Sequence, residues 1–477
     1  MLRPWQLRFR IEDRAEKTLF SKLAHLITTE ILSGRLGKGV MLPGSRSLAK
    51  ELEINRKTVQ TVYEDLEAQG WLVSKPRKGT FVSDVFPDAE RSIQPIQPRD
   101  IVQQNTHLTI NPPAAKFAIA NDGVPDTRLI PYELFSRAYR QALIKVTQNQ
   151  YMGYGDPQGT LEFRLALQQM LSMERFMSVS IANIAVVRGS QMGIFLASRA
   201  LPKKQGVIVV EELCYPPALK AFNSNGYEVI RVKLDDHGLV TDHLEQILKN
   251  HAVAAVYTTP HHQYPTTVSM SMSRRLKLLE LSNIWDFYII EDDYDHEFHY
   301  DSRPMPPLAS LPQSEQVIHI GSLSKVFAPG IRLGYVVATD SMIQNMVDDI
   351  LLIDRQGNTI TEIALANLMH SGEIKRHIRK MKKIYQLRRN HAAAEFLRVF
   401  GQQISLNIPA GGMAIWIRFC QAFNLEESLK LRTLNLEIEA NFSEKGNFSQ
   451  HIRFGFGALS EHEITASVEN LHRVLNF

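Results

Sequence analysis

The tetrapeptide Ser322-Leu323-Ser324-Lys325 places two hydroxyls and an amine within one turn. Ser-x-x-Lys opens one kind of serine acyl-transfer site, but that site is completed by Ser-Asp-Asn and Lys-Thr-Gly. Neither tripeptide occurs in this chain. A lysine confined near a strand end suits an aldehyde, with which its amine condenses. Arg332, seven residues on, offers a planar guanidinium fork suited to phosphate. Three further clusters fit the same ligand chemistry. Gly189-Ser190-Gln191 opens a helix, where small residues expose backbone N–H groups to an anion. Tyr215 offers a ring to stack on a planar ligand. Glu291-Asp292-Asp293-Tyr294-Asp295-His296-Glu297-Phe298-His299 carries carboxylates able to hold a protonated ring nitrogen. A zinc reading of this run fails on spacing. His-Glu-x-x-His needs two residues between the glutamate and the second histidine, and Phe298 stands there alone. No metal is expected, and His296 and His299 acquire no role.

These clusters follow short apolar runs. The runs are Ile184–Val187, Val207–Val210, Val229–Val232, Val253–Tyr257, Phe287–Ile290, Val317–Ile320 and Tyr335–Ala338. Each is rich in Val, Ile or Tyr and bounded by turn residues, which predicts buried strands. Amphipathic stretches such as Gln191–Ala200 and Met272–Leu281 lie between them. The alternation predicts an α/β sheet with ligands at its strand ends. Beyond Ser341 the chain reads as mainly helical to about Phe400, then as a smaller mixed segment closing with a helix from about Glu461.

The first 83 residues have another character. They hold 15 Lys and Arg against 9 Asp and Glu, a net of +6, while the other 394 residues net −2. Leu23–Ser33 has helical apolar spacing and stops at Gly34, and Ser45 is the expected N-cap of a second helix through Leu52. Asn55 caps a third helix, Arg56–Gln69. Trp71–Ser74 and Thr80–Ser83 alternate as strands around the basic turn Lys75-Pro76-Arg77-Lys78-Gly79. Three helices and a basic hairpin make a winged helix-turn-helix. Arg56, Lys57, Thr58 and Gln60 open its third helix, where long polar side chains suit base edges and phosphates. Arg46 is placed for a phosphate, and Arg77 and Lys78 for a backbone or minor groove.

Composition bounds the rest. A chain of 477 residues, 44% hydrophobic and 22% charged, is long enough for about three structural units with a large core. Two cysteines, Cys214 and Cys420, exclude a disulfide scaffold and a thiolate zinc cluster. No apolar run approaches the roughly 18 residues of a membrane helix, and Met1–Arg10 is too charged for a signal-peptide core. The expected setting is reducing and cytoplasmic, without membrane association. The expected division is a head over 1–83, a semi-extended linker over 84–116, and a body over 117–477. The body subdivides into a large domain (about 117–345) and a small C-terminal domain (about 346–477). The linker carries Gln94-Pro95, Gln97-Pro98 and Asn111-Pro112-Pro113, with no glycine between Gly79 and Gly123.

The head closely resembles the DNA-binding domain of GntR-type bacterial regulators. The segments that carry the resemblance are Ile31–Leu36, Leu42–Ala49, Asn55–Val59 and Lys78–Val82. It implies DNA contacts at Arg46, Arg56, Thr58, Gln60 and the Lys78-Gly79 turn. The body resembles the fold-type I aminotransferases, which use pyridoxal 5′-phosphate. Tyr154–Gly159, Thr258–Thr266, Glu291–Asp295, Ser322–Lys325 and Arg332–Gly334 carry this second likeness. Together the two halves resemble the MocR family of transcriptional regulators. The resemblance implies Lys325 as the Schiff-base lysine, Asp292 at the pyridine nitrogen, Tyr294 at the ring hydroxyl and Tyr215 stacked on the ring. It implies a phosphate site of Gly189, Ser190, Gln191, Ser322 and Arg332, with Tyr154 reaching it from the partner in a homodimer. It further implies Arg453 as the receptor for an amino-acid carboxylate. One departure stands out: aminotransferases carry Asn before Pro-Thr-Gly, where this chain has Tyr264-Pro265-Thr266-Thr267.

The combined reading is a DNA-binding regulator that senses pyridoxal phosphate, or an amino-acid or amine effector captured by it through aldimine formation. An aminotransferase with an appended DNA-binding head is the alternative. A cofactor-free dimerisation body is the third reading, against which the intact Lys325, Asp292 and Arg332 argue.

Overall fold

Runs of β-branched residues between turn signals must pair to satisfy their backbone groups, and in the computed structural model all seven expected runs do so. The structure describes residues 18–76, 78–85, 123–149, 152–202, 206–301, 304–327, 329–434, 436–442 and 449–475. The chain divides into two units, Met1–Asn111 and Pro112–Phe477. Apart from Asp84 and Val85, the expected linker lies outside the described residues.

In the first unit, α1 spans Leu19–Leu32 and starts one turn before the expected Leu23, because Thr18 Oγ1 accepts the N–H of Ser21. Helix α2 spans Ser45–Glu51. The expected N-cap is corrected by one residue: extended Gly44 is the cap, and Ser45 is already helical. Helix α3 spans Arg56–Ala68, with Asn55 Oδ1 accepting from the Lys57 N–H at 2.8 Å as expected of an N-cap. Strands β1 (Leu72–Lys75) and β2 (Gly79–Val82) pair antiparallel, and Met41 bridges to Phe81. Gly79 has φ +109°, a conformation the wing turn needs and side chains resist. Leu23, Ile27, Leu48, Val59, Val62 and Leu66 form the core, and the Tyr63 hydroxyl donates to Pro43 O.

The second unit opens with α4 (Tyr132–Gln148) and α5 (Leu161–Arg175). Then come β3 (Ile184–Val187), α6 (Ser190–Ala200), β4 (Val207–Glu211), α7 (Pro216–Ser224) and β5 (Glu228–Val232). A small hairpin of β6 (Leu234–Asp235) and β7 (Gly238–Leu239) precedes α8 (Thr241–Asn250), β8 (Val253–Thr258) and α9 (Met272–Trp285). Strands β9 (Tyr288–Asp293), β10 (Val317–Ser322) and β11 (Gly334–Val337) complete the large sheet. Its order is β3-β11-β10-β9-β8-β4-β5. Strand β11 is antiparallel to both neighbours, and the other pairings are parallel. Leu196, Phe222 and Met346 belong to one large core against the sheet, and Leu244, Leu278 and Phe287 to another. Helices α10 (Asp340–Ile353), α11 (Thr359–His370) and α12 (Glu373–Phe400) follow. A four-stranded antiparallel sheet of β12 (Ile404–Leu406), β13 (Ala414–Phe423), β14 (Glu437–Ile438) and β15 (Ser449–Gly455) has the order β12-β13-β15-β14. Helix α13 (Leu425–Thr433) lies between β13 and β14, and α14 (Glu461–Leu475) ends the described chain. Phe396, Phe400, Phe419, Phe454 and Leu471 make this sheet's core with α12 and α14.

One sequence boundary moves in a way that matters. Glu291, Asp292 and Asp293 belong to β9 itself; they do not follow it. They pair with His319, Ile320 and Gly321 of β10. Three acids extend a buried strand here because each finds hydrogen-bond or ion partners inside.

Candidate functional sites

Parallel strands deliver their C-terminal ends side by side, so the register alone gathers the chemistry. Val210 lies beside Tyr257, Thr258 beside Glu291, and Ile320 beside Asp292. Lys325 follows β10 and is half-buried, its Nζ donating to Gly123 O at 2.9 Å and lying 5.9 Å from the Tyr294 ring. Tyr294 donates to His262 O at 2.9 Å. Asp292 is buried, and its Oδ2 accepts from the Tyr257 hydroxyl at 3.0 Å. Its Oδ1 is buried with no hydrogen-bond partner among the described residues. Burial pushes the Asp292 carboxyl up to about 7, with Asp293 and Asp295 adding repulsion, against the hydrogen bond from Tyr257.

Aromatic contacts tie the remaining ring-site candidates together. Tyr215 and Tyr264 meet edge to face at 5.2 Å, and Tyr264 lies 6.2 Å from Tyr294. Buried Arg453 sits 4.6 Å over the Tyr264 ring and donates to Pro265 O at 2.7 Å. A Cβ on Gly123 would lie 3.6 Å from Arg453 Nη2, so one backbone residue touches both Lys325 and Arg453. The tyrosine standing where aminotransferases carry asparagine therefore packs against the ring-stacking candidate and the carboxylate-receiving candidate together.

The phosphate candidates form a second group. Gly189, at φ +79°, is the N-cap of α6, with Ser190 and Gln191 in its first turn. Arg332 donates to Arg188 O at 2.9 Å, and its guanidinium lies so close that a Cβ on Gly189 would sit 3.0 Å from Nη2. Gly334 pairs with Ser322, and a Cβ there would come within 3.2 Å of Gly189. The Gln191 side chain donates to Pro217 O, beside Tyr215, while its Oε1 is a buried acceptor with no partner among the described residues. Ser324 Oγ is likewise buried and unpartnered, and Ser322 Oγ accepts from the Ser324 N–H. Arg332 also lines a cavity of about 500 Å³ with Arg188, Met192, Asn358 and Thr361. Tyr154 is not brought to either group within this chain. It is 81% exposed, and its neighbour is Arg355, whose guanidinium lies 4.5 Å from the ring.

Sequence reasoning missed Tyr257 and the frame behind it. Buried Glu211 accepts from Thr258 Oγ1 at 2.7 Å and from Gln263 Nε2 at 3.0 Å. Burial pushes its carboxyl up to about 7, while those hydrogen bonds oppose the shift. Gln263 Oε1 accepts from the Thr266 hydroxyl, and Thr259 Oγ1 from the Tyr264 N–H. This network sets the loop that presents Tyr264. Tyr257 reads as one more apolar residue in a buried run, so nothing in the sequence marked it.

In the head, Arg46, Arg56, Lys57, Gln60, Lys78 and Gly79 are exposed, and Thr58 is half-buried. Arg56 and Lys57 open α3, whose first turn is capped by Asn55 through the Lys57 N–H. Lys75 lies 5.1 Å over the Phe81 ring, fixing one arm of the wing. Arg77 lies outside the described residues. No helix among the described residues is long and apolar enough to cross a membrane.

Comparison with known proteins agrees with both geometries. Residues 132–470 match the family described as aminotransferase class I and II, and residues 19–82 match bacterial regulatory proteins of the gntR family. The HTH-type transcriptional regulator YhdI of Bacillus subtilis is 29% identical over 474 residues, 96% of each chain. The HTH-type pyridoxine biosynthesis transcriptional regulator PdxR of Corynebacterium glutamicum is 29% identical over 372 residues, 78% of this chain and 77% of its own. Among solved structures, the multiple substrate aminotransferase of Thermococcus profundus superposes with a TM-score of 0.69 at 27% identity, covering 76% of this chain and 92% of that one. With a regulator's winged head joined to a transaminase body on one polypeptide, the chain belongs to the aminotransferase class I and II family in the combination that marks MocR-type transcriptional regulators.

Proposed function

We propose that this protein is a DNA-binding regulator whose body binds pyridoxal 5′-phosphate and responds to an amino-acid or amine effector. The observation that carries the coenzyme is Asp292 Oδ1, a buried carboxylate oxygen with no partner among the described residues. A protonated pyridine nitrogen is the donor such an oxygen lacks. The unpartnered Gln191 Oε1 and Ser324 Oγ and the close Gly189–Arg332 approach suit a bound polar group beside it. The residues present therefore fit the coenzyme. Lys325 is its covalent anchor, Asp292 its pyridine partner, Tyr294 its ring-hydroxyl partner and Tyr215 its stacking face. The α6 N-terminus, Ser322 and Arg332 hold its phosphate, and Tyr154 completes that pocket from a second subunit.

Bound there, the coenzyme supplies an aldehyde that captures amines and a ring that withdraws electrons. The chain's own residues do the rest. Asp292, buried and hydrogen-bonded by the Tyr257 hydroxyl, would hold a proton between its Oδ1 and a ring nitrogen. Arg453 receives a carboxylate, and Tyr264 closes the wall between Arg453 and Tyr215. The substitution of Tyr264 for asparagine removes a polar partner of the ring hydroxyl and supports sensing over turnover. The exposed Arg46, Arg56 and Gln60, the half-buried Thr58 and the Lys78-Gly79 wing read the DNA.

The test is paired. Lys325→Ala should abolish the coenzyme's visible absorbance and its borohydride-fixed mass addition. It should leave basal DNA affinity within about tenfold, or roughly 1.4 kcal/mol. It should also remove the change of footprint that follows coenzyme or effector. A mutant that still switches its footprint overturns covalent capture as the signal. Steady turnover of amino acids by the wild type, with no change at the DNA, makes it an enzyme.

A further inference from the structure

Behind the strand ends lies a cluster that neither the coenzyme nor the DNA uses. His261, His296 and His299 are all buried, at 2%, 7% and 5% exposure, and come from two separate loops. One nitrogen of each ring lies within 4.8 Å of the others. The rings do not stack; His261 meets His296 and His299 nearly edge-on, at 4.5 Å and 5.6 Å between centroids. His261 Nδ1, His296 Nδ1 and His299 Nε2 are buried with no hydrogen bond among the described residues. A buried polar atom left unsatisfied is destabilising, so three together call for a shared partner.

The chemistry of that partner follows from the donors. His261 Nε2 lies 2.6 Å from Met305 O, which places a proton on Nε2 and turns Nδ1 towards the cluster. His296 Nδ1 and His299 Nε2 add two further buried ring nitrogens without a hydrogen bond among the described residues. Asp293 supplies an anionic oxygen. Its Oδ1 sits 3.1 Å from His261 Nδ1, in a geometry that makes no hydrogen bond. Its Oδ2 lies 2.7 Å from Arg175 Nη1 and 3.2 Å from His296 Nδ1, the latter again without a hydrogen bond. Arg175 is matched a second time by Glu297, at 2.7 Å.

We propose that His261, His296 and His299 form a binding site for a divalent transition-metal ion of the zinc class, completed by Asp293, whose Oδ1 contacts His261 but lies outside the three-histidine group. Three imidazoles and one carboxylate suit zinc and its neighbours and do not suit magnesium or calcium, which take oxygen ligands. The His-Glu-Phe-His spacing that fails as a helical zincin motif succeeds in another way. The chain turns after β9 and brings His296 and His299 together, and the third ligand arrives from the loop after β8. A tetrahedral site with bonds of about 2.0–2.1 Å needs ligand atoms nearer together than 4.8 Å. The rings close on the ion by side-chain rotation, without a change in the sheet. Entry is open: His296 and His299 line a cavity of about 360 Å³ together with Arg175, Glu297 and Pro304.

The test uses the full chain stripped with a chelator, desalted and titrated with zinc chloride against a chromogenic indicator. Retained metal is counted by elemental mass spectrometry. One zinc held per chain is expected, with affinity at least tenfold weaker in His296→Gln and in His299→Gln. Cobalt(II) added to the stripped wild type should give the intense visible bands of a four-coordinate ion. Those bands should be lost in the double variant. Wild type that retains no zinc overturns the proposal. So does a folded double variant that retains as much as the wild type, since the ion then sits elsewhere. Should circular dichroism show that the variants do not fold, the wild-type cobalt spectrum decides alone: a weak six-coordinate spectrum overturns the site.

Discussion

At the scale of the residue, Asp292 is the group on which the proposed coenzyme binding and stability pull in opposite directions. Its carboxyl is raised from an ordinary 3.8 to about 7, chiefly by burial. The folded chain without coenzyme therefore binds a proton that the unfolded chain has released. With the folded value above the unfolded one, the stability contribution is complete below about pH 4 and is lost as pH rises towards 7. Asp292→Asn removes this ionisation and keeps an acceptor for Tyr257. Without coenzyme, the variant should lose stability less steeply between pH 4 and 7, and at pH 8 it should be more stable than wild type by roughly 1–3 kcal/mol. Glu211, also raised to about 7, keeps some slope in the variant. Urea unfolding across that range measures both slopes, and identical slopes would remove Asp292 from the account. With coenzyme the order reverses, because a neutral amide lacks the charge that keeps the ring nitrogen protonated: affinity by absorbance titration should drop at least tenfold.

At the scale of the element, backbone approach decides the phosphate corner. Gly189 combines φ +79° with a position where an added Cβ would crowd the Arg332 guanidinium. Gly189→Ala should strain the α6 N-terminus at a cost of roughly 1–3 kcal/mol and displace Arg332. Coenzyme affinity should drop about tenfold while far-ultraviolet circular dichroism stays unchanged. An unaltered titration would place the phosphate elsewhere. In the head, the corresponding element is the core under α3. Leu48 is 1% exposed, and Leu48→Ala should cost about 2–5 kcal/mol. It should abolish operator binding in a gel shift while the body's coenzyme absorbance persists, since the two units have separate cores. Elements of this kind were legible in the sequence to differing degrees. The seven sheet strands were readable because a strand buried on both faces must be a continuous apolar run. The end of β9 was not, since Glu291, Asp292 and Asp293 read as a loop until His319, Tyr257 and Arg175 are seen beside them. The start of α1 and the cap of α2 each differ by a turn or less, where Thr18 and Gly44 act in place of the expected residues. The strand-end lysine and arginine were found by spacing. Tyr257, Gly123 and the third histidine, His261, were not, because what distinguishes them is an interaction made across more than 30 residues.

At the scale of the whole molecule, charge is segregated: +6 in the first 83 residues and −2 in the rest. The electrostatic part of DNA binding should therefore belong to the head. Arg46→Ala/Arg56→Ala should lower the log–log salt slope by about 1.8, close to 0.9 for each phosphate no longer neutralised. The coenzyme titration of this double variant should match the wild type. Regulation, though, requires the two units to be coupled, and coupling has a property that catalysis lacks. If an amino-acid effector changes operator affinity by some factor, operator DNA must change effector affinity by the same factor, because both are one free energy measured from two sides. A tenfold change corresponds to roughly 1.4 kcal/mol on each side. The coenzyme's absorbance reports effector binding, and fluorescence anisotropy of a labelled duplex reports the operator. Titrating effector with and without saturating operator, and operator with and without saturating effector, should return equal factors. Arg453→Ala should diminish both factors together for carboxylate-bearing effectors, leaving those for simple amines. A shift seen only from the DNA side would mean that the amino compound is being consumed and the body acts as an enzyme. Equal shifts establish the body as the sensor of the head.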